Sequence, residues 1–358
     1  MRLRRRALLL AALPMASRAS TLPPGAECIA PAKPGGGFDL SCRLAQAALQ
    51  LADGSRPPLL PNSGPAQPNV PSSGATRPLL PSSGPAQPLM RVRYLPGGIG
   101  ALAYRQALAQ RAADAASLVA FSSGTLLNIV QGRFGPAPAQ EVRWLAGVGF
   151  DHGVIAVHRD APWRSLNALL EALRAQPNAI VFGAGGTIGS QDWMKAALLA
   201  RAAGIGHRVM RFVAFEGGGE AVGALAGRHV QVLAGDAAEL AHQQDGGAPV
   251  RVLAVLAETR LPGRWASVPT AREQGFDIRW PILRGFYLGP QVGDAAWRAW
   301  TAAFEAAFAA PGFEALRQRA GLQAPALVGA ALQSVVERQL ADYRALADGF
   351  GLPKRAAR

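Results

Sequence analysis

The chain predicts an α/β fold of two lobes built on parallel strands, and three observations carry that reading. Short apolar runs end again and again in loops of glycine and serine. Each such loop opens a helical pattern, and the whole series occurs twice along the chain. Ligands of sheets of this kind sit beyond the carboxyl ends of the strands, which is where all of these loops fall.

The first unit is the most explicit. Cys28-Ile29-Ala30 is a short apolar run stopped by Pro31, a glycine triplet (Gly35, Gly36, Gly37) follows Pro34, and Asp39 and Ser41 open a helix. Glycines let the turn bring bare N–H groups close to a ligand. The first helical turn adds unpaired donors and the positive end of the helix dipole, so the element favours a small anion. A tight turn with no ligand is the plainer alternative. A strand at 90–95 then leads through Pro96-Gly97-Gly98-Ile99-Gly100 into a helix at 101–112. A further strand at 117–121 leads through Ser122-Ser123-Gly124-Thr125 into a helix at 126–130.

Residues 142–157 hold two apolar runs broken at Asp151-His152-Gly153, and Ser165 caps a helix running through 175. The second series begins with a strand at 179–182, the loop 183–190 and a helix from Gln191. A strand at 209–215 follows, with the loop 216–220 and a helix to 226. A strand at 230–234 then ends at Gly235-Asp236 before a helix from Ala237. The run 250–256 is expected to return to the first lobe. Helices at 295–309 and 313–319 follow, and a last one places Leu332, Val336, Leu340, Tyr343 and Leu346 on one stripe that reads as packing.

At 358 residues and 49% hydrophobic, the chain can bury two cores. Its net charge of +14 comes from scattered arginines without a dense run or interleaved aromatics, which argues against a nucleic-acid partner and fits acidic small molecules. Residues 1–20 read as an export signal: Arg2, Arg4, Arg5 and Arg6, an apolar stretch at 7–16, and Ser17-Arg18-Ala19 as the cleavage site. The expected location is therefore the periplasm. Export places the two cysteines, Cys28 and Cys42, in an oxidising compartment on either side of the first glycine loop, and we expect a disulfide there rather than two buried thiols. Residues 53–88 are rich in Pro, Ser and Gly, with 56–68 nearly repeated at 77–88, and read as an extended or disordered insertion.

Catalytic groups are thin. There is no Gly-x-Ser-x-Gly elbow, His-Glu-x-x-His pair or Gly-Lys-Ser/Thr loop, and no Gly-x-Gly-x-x-Gly with a downstream acid. No cofactor or metal site is expected. Asp151 and His152 are adjacent, and side chains adjacent in sequence usually diverge, so they suit a structural or hinge role better than a catalytic pair. What stands out is five loops of one kind, at 35–39, 96–100, 122–125, 185–190 and 217–219. If they face one cleft, donors converge from both sides on something rich in acceptors.

Several blocks resemble the extracytoplasmic receptors of tripartite tricarboxylate transporters, in their tricarboxylate-binding branch. They are Pro31-Ala32-Lys33-Pro34-Gly35-Gly36-Gly37-Phe38-Asp39, Tyr94-Leu95-Pro96-Gly97-Gly98-Ile99-Gly100-Ala101, Phe182-Gly183-Ala184-Gly185-Gly186-Thr187-Ile188-Gly189-Ser190, Phe215-Glu216-Gly217-Gly218-Gly219-Glu220 and Val268-Pro269-Thr270-Ala271-Arg272-Glu273-Gln274-Gly275. The resemblance implies a type II periplasmic-binding-protein fold, two lobes joined by two crossing strands. The first lobe would take 21–148 and 254–358, and the second 149–253. It implies a monomer without catalysis that captures a di- or tricarboxylate such as citrate and delivers it to membrane subunits of the transporter. Gly36, Gly37, Phe38 and Asp39 would anchor a ligand carboxylate, with Thr187, Ile188, Gly189 and Ser190 gripping from the other lobe. Ser122, Ser123 and Asp236 would be more distant contacts, Asp236 through a hydroxyl or water. A Gly37→Val change is expected to block the anion and leave the fold intact. A sensor subunit for a signalling receptor and a secreted α/β enzyme acting on an acid are the alternatives.

Overall fold

The computed structural model describes residues 22–55, 89–135 and 141–352. The export signal and nearly all of the Pro-rich insertion lie outside the described residues. In chain order the elements are β1 (Glu27–Ala30), α1 (Gly37–Ala52), β2 (Arg91–Tyr94), α2 (Ala101–Ala109), β3 (Ser117–Ser122), α3 (Ser123–Val130), β4 (Arg143–His158), α4 (Leu166–Ala175) and β5 (Val181–Gly185). They continue with α5 (Gln191–Ala202), β6 (Arg211–Phe215), α6 (Gly218–Ala226), β7 (Val232–Asp236), α7 (Ala237–Asp245), β8 (Val250–Leu256), β9 (Pro281–Leu288), α8 (Asp294–Ala309), α9 (Phe313–Arg319), β10 (Leu327–Val328) and α10 (Gly329–Gly349).

Two lobes share the long strand β4. Its first half, from Arg143 to His152, pairs with β9 in a sheet ordered β2-β1-β3-β9-β4, with β10 against the far edge of β4. Its second half, from Gly153 to His158, pairs with β7 and β8, and β5 and β6 extend that sheet. β1 runs parallel to β2 and β3, and β5 runs parallel to β6 and β7, as the strand–loop–helix units require. The strands that join the lobes run antiparallel to their neighbours, so each sheet is mixed.

The two apolar runs on either side of Asp151-His152-Gly153 form one strand: β4 runs unbroken through the tripeptide, which marks the point where the strand passes from one sheet to the other. One expectation changes here, for the strand at 250–256 does not return to the first lobe. β8 pairs along the second-lobe half of β4, and the return is made by Trp280 and β9, with the Gly153 N–H donating to Trp280 O at 2.9 Å. A largely apolar run such as Val250–Leu256 cannot by itself say which half of a shared partner strand it will pair with.

The core follows the burial the sequence forecasts. α1 buries Leu44, Ala45, Ala47, Ala48 and Leu49 against α8, its alanines allowing close approach. Phe121, Trp144, Tyr287 and Tyr104 form a chain of edge-on and tilted rings under β3 and β9. In α10, Leu332, Val336, Leu340 and Tyr343 are buried, so that stripe is packing. The Cys28–Cys42 disulfide is formed, tying β1 to the second turn of α1 on either side of the glycine loop.

Candidate functional site

A cavity of about 300 Å³ opens between the lobes, and all five small-residue loops reach it: Gly35 to Gly37, Gly97 and Ile99, Ser122 and Gly124, Gly185 and Ser190, and Gly217 to Gly219. The residues that cap five helices line this one space: Gly36 for α1, Ser122 for α3, Ser190 for α5, Gly217 for α6 and Asp236 for α7. Five positive helix ends therefore converge from both lobes.

These helix ends differ in how far the chain already satisfies them. Ser190 Oγ accepts from Trp193 N at 3.3 Å, and Asp151 Oδ1 accepts from Ala238 N at 3.0 Å, so α5 and α7 have protein partners. Thr125 Oγ1 accepts from Ser122 N at 3.2 Å at the start of α3. The starts of α1 and α6, one in each lobe, have no side-chain cap. Glycine at both caps brings no side-chain acceptor of its own to those N–H groups, an arrangement that suits a carboxylate.

Behind the loops lies a buried charge network. The Arg284 guanidinium donates to Asp151 Oδ2 from Nε (3.1 Å) and Nη2 (2.5 Å), and to Asp236 Oδ2 from Nη2 (3.0 Å). Lys195 Nζ lies 2.6 Å from Asp236 Oδ1 and 2.8 Å from Asp192 Oδ1, and donates to Gly235 O at 2.7 Å. Burial disfavours the Asp236 anion, but Lys195 and Arg284 outweigh it and hold that carboxyl below its usual range. Burial wins at Asp192, which is raised despite Lys195, with Asp236 adding to the rise. Glu239, at the seam of the cavity beside Gly36 and Gly218, is pushed up to about 8 by burial, with Asp236 reinforcing and Arg284 opposing.

The positions of the expected ligand residues now separate into groups. Gly36, Gly37, Phe38, Ser122, Ser190 and Asp236 line the cavity. Asp39 faces away from it: its carboxylate accepts from Gly35 N (2.8 Å), Arg43 Nε (2.7 Å) and Tyr94 Oη (2.9 Å), fixing the glycine loop from behind. Ser123 is buried, its Oγ accepting from Leu283 N and donating to Gln339 Oε1, both at 2.8 Å. Thr187, Ile188 and Gly189 reach across to the other lobe instead. Arg133 Nη1 donates to Thr187 Oγ1 at 2.8 Å, Arg133 Nη2 donates to Ile188 O, and Gln131 Nε2 donates to Gly189 O at 2.8 Å. Asp236 has its oxygens taken by Lys195, Arg284 and Gln191, so the hydroxyl or water expected there would compete with three protein donors. A Cβ at Gly37 would lie 2.6 Å from Arg284 Cζ. A valine there would therefore press on the guanidinium that pairs with Asp151 and Asp236, so this change would act on the buried ion pairs as well as on an anion's seat.

Sequence reading passed over Arg284, Lys195, Gln191 and Glu239. Arg284 is the one charge inside the apolar strand Ile282-Leu283-Arg284-Gly285-Phe286, and Lys195 stands three residues from Asp192 on the buried face of its helix. A lone charge in a buried element is a signal in itself, since it must find a partner. Asp151 is fully engaged by Arg284 and by the backbone N–H groups of Ala238 and His152, so it does not act on His152 as a catalytic acid would.

The sequence profile described as tripartite tricarboxylate transporter family receptor matches residues 96–352. The chain belongs to that family of transporter receptors. The receptor also resembles solved structures at 16–18% identity, a likeness that bears on the fold. The periplasmic binding protein BugD is 18% identical with a TM-score of 0.72 over 92% of this chain and 99% of that one. MatC from Rhodopseudomonas palustris, solved with malate, is 17% identical with a TM-score of 0.69 over 90% and 98%. A second R. palustris protein, solved with adipate, is 16% identical with a TM-score of 0.72 over 92% and 98%. A search of curated protein sequences finds no match. The receptor thus has the two-lobed periplasmic-binding-protein fold, and its family is one of solute-binding receptors. Among the described residues, no helix is long and apolar enough to cross a membrane.

Proposed function

We propose that the receptor captures a small di- or tricarboxylate in the interlobe cavity and hands it to the membrane subunits of a tripartite transporter. The observation that carries this reading is the pair of uncapped helix starts, α1 and α6, facing one cavity from opposite lobes. In this reading the backbone N–H groups at Gly37, Phe38 and Asp39 hold one carboxylate. Those at Gly218 and Gly219 hold the same group or a second one, each terminus favouring the anion by up to about 2 kcal/mol when partly buried. Ser122 and Ser190 contribute hydroxyls at the rim. Thr187, Ile188 and Gly189 act by holding the lobes together, while Asp39, Ser123 and Asp236 position what surrounds the ligand. The protein works as a periplasmic monomer after cleavage near Ala19.

The relatives solved with malate and with adipate are dicarboxylate complexes, which favours a small diacid over larger solutes. Calorimetry on ligand-stripped protein with a panel of di- and tricarboxylates tests the reading. We expect at least one acid to bind in the micromolar range or tighter, and silence across the panel would defeat the proposal.

A further inference from the structure

The cavity is not lined only by donors. Gln191 occupies the first turn of α5, and its Nε2 donates to both oxygens of Asp236, at 3.0 and 3.3 Å. Asp236 is held by Lys195 and Arg284 as a carboxylate that only accepts. The amide is thereby oriented: nitrogen toward Asp236, oxygen the other way. That oxygen, Gln191 Oε1, is buried without a hydrogen-bond partner and rests against Gly124, where a Cβ would lie 2.9 Å from it. Gln191 and Gly124 both line the interlobe cavity.

From this juxtaposition we infer that Gln191 is a specificity-determining residue that requires a hydroxyl or amine on the bound acid. The inference rests on the carboxylate-receptor reading and narrows it to hydroxy- and amino-acids. A buried acceptor left unmade destabilises the complex, and a carboxylate cannot satisfy it, because it brings only acceptors at neutral pH. A ligand hydroxyl beside the carboxylate can. Glycine at 124 is what lets the Gln191 amide sit in this orientation, since a Cβ there would press on its oxygen, Cδ and Cγ. Sites built to bond a ligand hydroxyl discriminate against the analogue lacking it more strongly than sites that merely fit shape.

The test compares acids that differ by one donor, on ligand-stripped full-length mature protein: malate and aspartate against succinate, and citrate against tricarballylate. Wild type is expected to bind the donor-bearing member about tenfold or more tightly. Gln191→Met, close in shape and without a polar atom, is expected to bring the ratio to within about threefold, mainly by weakening the hydroxylated acid. Equal affinities within the pairs in wild type overturn the inference, whether or not the variant folds. A preference that survives in Gln191→Met overturns it as well. If acids bind without regard to the hydroxyl, only this inference falls. If no acid binds, the receptor reading falls with it.

Discussion

A carboxyl buried among other carboxyls must keep its proton or cost the fold stability, and Glu239 is in that position. Burial and Asp236 lift it from 4.5 to about 8, against the pull of Arg284. Between those values the native state holds a proton that the unfolded chain has released, so stability falls as pH rises through the window and levels off above about 8. One fully sealed group would give a slope near 1.4 kcal/mol per pH unit, and the part of Glu239 that still meets solvent lowers it. Glu239→Gln is expected to flatten this limb, gaining more stability at pH 8 than at pH 5 in urea denaturation. Gly217 gives the complementary test. Its φ of −162° is extended backbone, and a Cβ there meets nothing within 4 Å. An aspartate at this cap bonds its own helix start, holding stability or raising it by a few tenths of a kcal/mol, about 0.3. It also places a negative charge where the ligand carboxylate is proposed to sit, so calorimetry should show affinity falling about tenfold or more while the melting temperature does not fall. These residues also show how far sequence could reach. Gly36, Gly37 and Ser190 were legible because a strand, a small-residue loop and a helix lie in line. Arg284 was not, because its acidic partners Asp151 and Asp236 lie 133 and 48 residues away.

At the scale of elements, the first strand–loop–helix unit is held twice, by the disulfide and by Asp39. Cys28 and Cys42 lie 14 residues apart and bracket the glycine turn, while Asp39 ties Gly35 N to Arg43 and Tyr94. On the chain-entropy account, closing so short a loop contributes roughly 3 kcal/mol. A Cys28→Ala, Cys42→Ala double variant is expected to lose about that much in chemical denaturation. It should weaken the acid less than it weakens the fold, because Asp39 still anchors the turn. Wild type under reducing conditions should reproduce the loss. Most elements were readable because each carries its own punctuation: Ser165 and Ser190 cap the helices they precede, with Ser165 Oγ accepting from Ala168 N at 3.1 Å. β8 and β9 were harder, since an apolar run says that a strand is buried and leaves its partner open. Which of them crossed back was decided by Trp280 and by the pairing of Pro281 with His152, contacts with no local signature.

Closure of the whole molecule rests on a few contacts away from the ligand. Arg133 and Gln131, just past α3 in the first lobe, bond the 187–189 loop of the second, and Lys33 reaches Glu220 across the mouth at 2.7 Å. The end of α10 adds an apolar clasp: Phe350 meets the rings of Trp193 and His207 at centroid distances of 6.0 and 5.2 Å, and Arg201 lies 3.7 Å from the Phe350 ring centroid. Gly189 has φ +83°, and a Cβ there would lie 2.5 Å from Gln131 Oε1, so the loop must be glycine at the point where the lobes meet. A receptor of the proposed kind needs a closed state stable enough to hold its ligand and weak enough to reopen, and hydrogen bonds near solvent, worth about 0.5–1.5 kcal/mol each, suit that need. Arg133→Ala removes such bonds without touching the cavity, so the encounter of ligand with the open protein is unchanged and the closed form opens sooner. In stopped-flow fluorescence, with Trp193 as a reporter at the clasp, dissociation is expected to quicken about three- to tenfold at nearly constant association rate. A change confined to association would mean that these contacts guide the ligand in and do not hold the lobes shut.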